Sequence, residues 1–76
     1  MLLRFPIHNK DPQVLQVGIE PEGDVFSLKE GECVEIRIEV GEGCYDDFVE
    51  IESEGRLLFF YYMAEKEVWR DGKRLR

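Results

Sequence analysis

Residues 34–40 read Val34-Glu35-Ile36-Arg37-Ile38-Glu39-Val40, a stretch in which apolar and charged side chains alternate. A period of two is the spacing at which side chains alternate between the two faces of a pleated strand. The stretch therefore predicts a β-strand with one buried and one solvated face. The same alternation recurs at residues 15–20 and 48–52, which predicts two further half-buried strands.

Turn-forming residues separate these segments at intervals of roughly 8–12 residues, a spacing typical of antiparallel all-β domains. Glycine recurs in the turns because it adopts the positive φ that tight turns need. The Asp71-Gly72 dipeptide is also the signal of a type I′ hairpin, so the last two strands are expected to pair. The predicted turns are Pro21-Glu22-Gly23-Asp24, Lys29-Glu30-Gly31-Glu32, Gly41-Glu42-Gly43, Ser53-Glu54-Gly55 and Asp71-Gly72.

The predicted fold class is all-β, because no stretch of the chain shows the 3.6-residue period of an amphipathic helix. A chain of 76 residues is long enough for one domain, residues 1–76, and too short for two hydrophobic cores. We expect a single small antiparallel β-sandwich or barrel-like domain of about seven to eight short strands. The predicted strands cover residues 2–7, 13–20, 24–29, 33–40, 47–53, 56–63, 66–70 and 73–75.

The chain is acidic, and its charge is unevenly distributed. It holds 17 carboxylates against 10 lysines and arginines, for a net charge of −7. Most of the carboxylates fall within residues 20–54. A negative field opposes binding to nucleic acid and to anionic membranes, so neither is expected as a partner.

The chain shows no pattern of a membrane or secreted protein. The longest apolar run, residues 57–64, is much shorter than the roughly 20 residues of a membrane-spanning helix. The N-terminus lacks the apolar stretch and the cleavage site of a signal peptide. We therefore expect a cytoplasmic location.

Few residues of the chain could carry catalysis or bind a metal. His8 is the single histidine, and we expect Cys33 and Cys44 to be free thiols because an extended strand would separate them. Blue copper needs a second imidazole, and structural zinc needs closer cysteine spacing. A Cys–His catalytic pair needs a pocket, for which so short a chain leaves little room. We expect no enzyme activity, catalytic residue, cofactor or metal, and a solvated acidic turn at 42–47 rather than a calcium site.

Two acidic strands form the first candidate interaction surface. If the strand at 33–40 pairs with the next one along the chain, Glu35 and Glu39 lie near Glu50 and Glu52. Like charges opposite one another cost roughly 0.2–1 kcal/mol per pair. Such a face either stays acidic for solubility and to blunt edge pairing, or it binds a cationic partner.

The apolar run at residues 57–64 is the second candidate, because it is apolar in both alternations. That pattern predicts a strand buried on both faces. A domain of this size has little material to cover both, so we expect Phe60, Tyr62 and the nearby Trp69 to be partly exposed or covered by another chain. Aromatic residues are favoured anchors of interfaces. The other interpretation, which the pattern favours, is that the run serves only as core.

Two stretches resemble a group of small uncharacterised bacterial proteins. Residues 19–23, Ile-Glu-Pro-Glu-Gly, precede Leu28 and then Gly31-Glu32, as a V/I-E-P-x-G turn precedes an L-x-P-G-E turn and a strand in that group. Residues 68–75 are similar to the group's closing hairpin, whereas Glu30 stands where the group has proline. The L-x-x-G-E turn also resembles that of immunoglobulin-like and cupredoxin-like sandwiches. The resemblance covers roughly half the chain, implies a small β fold and assigns no functional residue.

These observations predict a non-enzymatic small β domain that acts in protein–protein interaction or self-association, with a protein partner or a homo-oligomer. The apolar run would supply affinity, and the acidic face would orient the partner. The alternative is an acidic inhibitor, such as an immunity or anti-defence protein, whose carboxylates block a cationic site on a target. Salt separates the two, because a complex held by charge weakens with ionic strength and an aromatic-centred one does not.

Overall fold

Eight short strands form the secondary structure of residues 1–41 and 49–76, the part of the chain that the computed structural model describes. Because no helix occurs among these residues, the predicted all-β class is confirmed. In chain order the strands are β1 (Leu2–His8), β2 (Leu15–Glu20), β3 (Asp24–Leu28), β4 (Cys33–Glu39), β5 (Glu50–Glu54), β6 (Leu57–Tyr61), β7 (Glu67–Arg70) and β8 (Lys73–Arg74).

The strands form two four-stranded sheets. Sheet A has the order β1-β4-β7-β8, and sheet B has the order β3-β2-β6-β5. The core lies between them, where the ring centroids of Phe5 in sheet A and Phe60 in sheet B are 5.1 Å apart in an edge-to-face contact. The buried hydrophobic residues come from both sheets, and they are Val17, Ile19, Leu28, Val34, Ile36, Ile38, Phe60, Tyr62 and Val68.

Strand β4 shows why the alternating pattern identifies a half-buried strand. Val34, Ile36 and Ile38 are buried in the core, whereas Glu35 and Arg37 point to the opposite face and are only half-buried. The predicted strand at 47–53 is observed as β5. Its first part falls within residues 42–48, which lie outside the described residues together with Cys44 and the predicted acidic turn.

The chain ends in the predicted hairpin of β7 and β8. Trp69 pairs with Arg74 and Arg70 with Lys73, so Asp71 and Gly72 form a two-residue loop. Their φ angles are 50° and 74°, and a type I′ turn needs this positive φ at both central residues.

Strand pairing differs from the prediction in one important respect. Strand β4 lies between β1 and β7 in sheet A, and β5 pairs with β6 in sheet B. The predicted pairing of residues 33–40 with 47–53 is therefore wrong, because both edges of β4 are occupied by other strands. In addition β2 and β6 are parallel, although all other pairs are antiparallel among the described strands.

A buried asparagine joins the loop after β1 to the ends of three other strands. The Asn9 side chain donates to the carbonyl oxygens of Gln13 at 2.9 Å and Leu28 at 2.8 Å. Its Oδ1 accepts from the Asp11 amide at 3.1 Å and from the Arg56 guanidinium. With all four bonds made, an amide that is 2% exposed is fully partnered, and it fixes the position of the loop.

Candidate protein interface

The outer face of sheet B carries a row of apolar side chains. Phe60 points into the core, so its neighbours along β6 point outward, and Leu57, Phe59 and Tyr61 form what we call the apolar row. All three are half-buried. The row is extended by Met63, which is 70% exposed and accepts a hydrogen bond at Sδ from the Tyr61 hydroxyl at 2.6 Å.

Glycine at one position of β2 lets the centre of the row lie flat against the sheet. Gly18 pairs with Phe59 across the parallel β2–β6 contact and with Val25 on the other side. A Cβ atom at Gly18 would lie 3.1 Å from Cδ1 of the Phe59 ring, so a larger residue would push the ring away. Val25 is 57% exposed and continues the apolar surface across β3.

Three glutamates on β5 border the apolar row. Glu50, Glu52 and Glu54, here called the acidic row, pair with Tyr61, Phe59 and Leu57 respectively. Cross-strand partners share a face, so both rows lie on the outer face of sheet B. Successive members of the acidic row are about 6.8 Å apart, since a strand rises about 3.4 Å per residue.

The charge of sheet B is not compensated within the sheet. Its four strands contain no lysine, arginine or histidine, and their carboxylates are Glu20, Asp24, Glu50, Glu52 and Glu54. Arg76 forms an ion pair with Asp24 at 2.6 Å, on the edge strand opposite to the acidic row. With Met63 and Val25, the two rows therefore present partly exposed apolar surface beside a negative field.

The outer face of sheet A is different because its charges are paired. The Arg37 guanidinium contacts the Glu35 carboxylate and stacks 4.2 Å from the centroid of the Trp69 ring. The indole Nε1 of Trp69 donates to Glu67 at 2.8 Å, and Glu67 also contacts Arg74 at 3.4 Å. This face offers alternating and mutually neutralising charges rather than a field of one sign.

The aromatic anchors predicted from the sequence do not form one surface. Phe60 is 0% and Tyr62 3% exposed, so the prediction that they are exposed is wrong. Trp69 is half-buried on sheet A, on the opposite side of the molecule from the apolar row. Both alternations of the run at 57–64 are apolar, and the phase that faces outward is that of Phe59 and Tyr61.

The predicted acidic face is likewise divided between the sheets. Glu35 and Glu39 lie on sheet A, where Glu39 contacts the N-terminal ammonium group at 3.0 Å. Glu50 and Glu52 lie on sheet B. The prediction that these four carboxylates lie together is wrong, since it depended on pairing β4 with β5.

His8 and Cys33 are brought together as direct partners across the β1–β4 pair. Both residues are exposed, and Cys33 forms no disulfide. Within residues 1–41 and 49–76 no group of three or more His, Cys, Asp or Glu side chains is arranged to hold a metal ion. A catalytic pair also needs a pocket, and although Cys33 lines a cleft of about 210 Å³, His8 lines neither that cleft nor the larger one at the end of the sandwich.

The larger cleft, of about 590 Å³, lies at one open end of the sandwich and holds ion-paired cations. The ammonium group of Lys66, which is 0% exposed, contacts Glu22 at 2.8 Å and donates to the carbonyl oxygens of Tyr62 and Ala64. The smaller cleft, of about 210 Å³, lies beside Trp69 on sheet A. Because the cations of the larger cleft already have carboxylate partners, it offers little to an anionic ligand.

Comparison of the chain with protein-family models, with curated proteins and with solved structures gives no match. The resemblance to small bacterial β proteins therefore stays a prediction. Among the residues that the structure describes, no helix has the length and apolar character needed to cross a membrane.

Proposed function

We propose that this chain is a non-enzymatic binding domain that docks a positively charged protein partner on the outer face of sheet B. The observation that supports it is the half-buried apolar row, extended by the exposed Met63 and Val25, beside the exposed acidic row. A contiguous apolar patch rimmed by polar groups is typical of an interaction surface. Uncompensated carboxylates beside it favour a cationic partner and repel acidic ones.

Self-association through the same edge is disfavoured by its charge. Pairing β5 with β5 of a second copy would bring two acidic rows into one sheet. Each pair of like charges placed opposite one another costs roughly 0.2–1 kcal/mol. The partner that suits this face is therefore a different protein with lysine or arginine next to apolar residues.

Variants with matched charge changes test the proposal. Glu52→Lys reverses a charge in the acidic row, and Glu39→Lys makes the same change on sheet A. We expect capture of a partner from lysate to be lost with Glu52→Lys and retained with Glu39→Lys. Tyr61→Ala should also weaken capture, by about 30-fold or more, because an aromatic hot spot contributes about 2 kcal/mol or more to binding. Equal capture by all the variants would contradict the proposal.

The alternative is an acidic inhibitor that occupies a cationic site on its target, and the lack of basic residues in sheet B favours it. The two functions differ in which row carries the affinity. An inhibitor that acts by charge should lose its target steeply as salt rises and tolerate Tyr61→Ala. A partner docked on the apolar row should be retained at high salt and lost with that variant.

A further inference from the structure

The four edge strands of the two sheets differ in how well they are protected against pairing. Sheet A ends in β1, which carries Pro6 and so lacks one amide donor, and in β8, which has two residues. Sheet B ends in β3, where the Arg70 guanidinium donates to the Ser27 carbonyl oxygen at 3.3 Å. The remaining edge, β5, has five residues and no proline.

Strand β5 is accessible from both faces. All five of its residues are exposed, including Ile51, which points to the core side of the sheet and is still 53% exposed. An edge strand presents a row of backbone amide and carbonyl groups that can template a further strand. The apolar side chain of Ile51 gives such a strand a place to bury an apolar residue.

The side chains of β5 specify which strand would fit. An added strand places its side chains next to those of β5, with the same alternation between faces. Residues beside the acidic row must then be basic, and residues beside Ile51 must be apolar. Charges on an edge strand deter neutral and acidic strands, whereas a basic strand converts the same charges into attraction.

We infer that the partner contributes an extended segment with alternating basic and apolar residues, which adds to sheet B as a fifth strand beside β5. This inference rests on the proposed function, because it uses the same acidic row. It goes further by naming the conformation of the bound segment and by requiring backbone hydrogen bonds to the edge of β5.

A peptide probe tests the backbone requirement directly. The probe is an acetylated and amidated heptapeptide, Lys-Val-Lys-Val-Lys-Val-Lys. Only alternate residues of a paired strand direct their amides toward the neighbour. Two further peptides carry N-methyl groups on the three valine amides or on the four lysine amides, so each blocks one complete set of amides and keeps every side chain.

We expect the parent peptide to shift the backbone amide resonances of Glu50–Glu54, and its affinity to fall with salt because three charge pairs are involved. One N-methylated peptide should bind about tenfold or more weakly and the other like the parent, since each backbone hydrogen bond contributes about 0.5–1.5 kcal/mol. Glu52→Lys should weaken binding of the parent peptide, and Glu39→Lys should not.

Equal binding of both N-methylated peptides would overturn the added strand, while the proposed function would still stand through docking of side chains on the face. Failure of the parent peptide to bind, or shifts confined to β1 or β3, would also overturn it. The proposed function fails separately, when capture of the natural partner is insensitive to Glu52→Lys and Tyr61→Ala.

Discussion

Replacing Asn9 by aspartate tests the buried amide that holds the loop after β1. The two side chains have nearly the same size, so Asn9→Asp opens no cavity. The substitution removes both Nδ2 donors, which bond to the carbonyl oxygens of Gln13 and Leu28. It also sets a carboxylate against those carbonyl oxygens, while Arg56 gains a charged partner.

The expected loss of stability follows from these contacts. Each lost hydrogen bond costs about 1 kcal/mol, and the new carboxylate oxygen, which replaces Nδ2 and faces carbonyl oxygens, adds about 1 kcal/mol or more as an acceptor without a donor. The Gln13 carbonyl keeps a donor, because Arg56 also bonds to it at 3.0 Å. The new carboxylate also forms a stronger contact with the half-buried Arg56, which offsets the loss by about 0.5–1 kcal/mol. We therefore expect a net loss of about 2–3 kcal/mol, against a total stability of about 3–5 kcal/mol for a core of this size.

Urea unfolding followed by circular dichroism measures this loss. With an m-value of about 1 kcal/mol/M, the midpoint should fall by about 2–3 M. Gln16→Glu is the matched control, since it makes the same change of amide to carboxylate at an exposed position on β2 and should shift the midpoint little. If both variants shifted the midpoint equally, the loss would come from added negative charge, and the argument from Asn9 hydrogen bonds would be refuted.

Three further experiments test the face assignment, the buried ammonium and the closing turn. Phe60→Ala should cost about 3–5 kcal/mol and Phe59→Ala about 1 kcal/mol in thermal unfolding, and equal losses would contradict the assignment of faces. Lys66→Met removes three hydrogen bonds from a buried site and should lower the free energy of unfolding, measured by urea titration, by about 1–3 kcal/mol. A variant as stable as the parent would show that the ammonium group does not stabilise the fold. Gly72→Ala should cost about 1 kcal/mol because the φ angle of Gly72 is 74°. Gly41→Ala is the control and should be nearly neutral in the same assay, since an added Cβ atom has no neighbour within 4 Å at either position. Similar losses for the two variants would argue against left-handed backbone strain at Gly72.

The positions of the strands could be predicted from the sequence because each has a local signal. Alternation at residues 34–40 depends only on which side chains share a face, and that is fixed by the pleat. The type I′ turn at Asp71-Gly72 depends on two neighbouring residues. Pairing between strands is different, since it depends on contacts between residues far apart in the chain. The predicted pairing of β4 with β5 was based only on their proximity in the sequence, which carries no information on those contacts.

The candidate interface could be predicted in kind but not in its residues. The run at 57–64 is apolar in both phases, so periodicity could not decide whether Phe59 or Phe60 faces the core. The phase is set by β2, whose buried Ile19 pairs with Phe60 and whose Gly18 pairs with Phe59. A glycine in the solvent-facing phase of a strand indicates that a large neighbouring side chain lies over it, and Gly18 was the signal that could have identified Phe59.

The parallel contact between β2 and β6 has a consequence for how the chain folds. It joins residue 16 to residue 57, and the β1–β4 pair joins residue 2 to residue 39. Contacts of such long range make folding slow, on the order of milliseconds to seconds. At a synthesis rate of about 5–20 residues per second, β6 is made roughly 2–8 s after β2, so β2 lacks this partner strand during that time. Repulsion between nascent copies, provided by the carboxylates within residues 20–39, would protect the exposed strands during that interval.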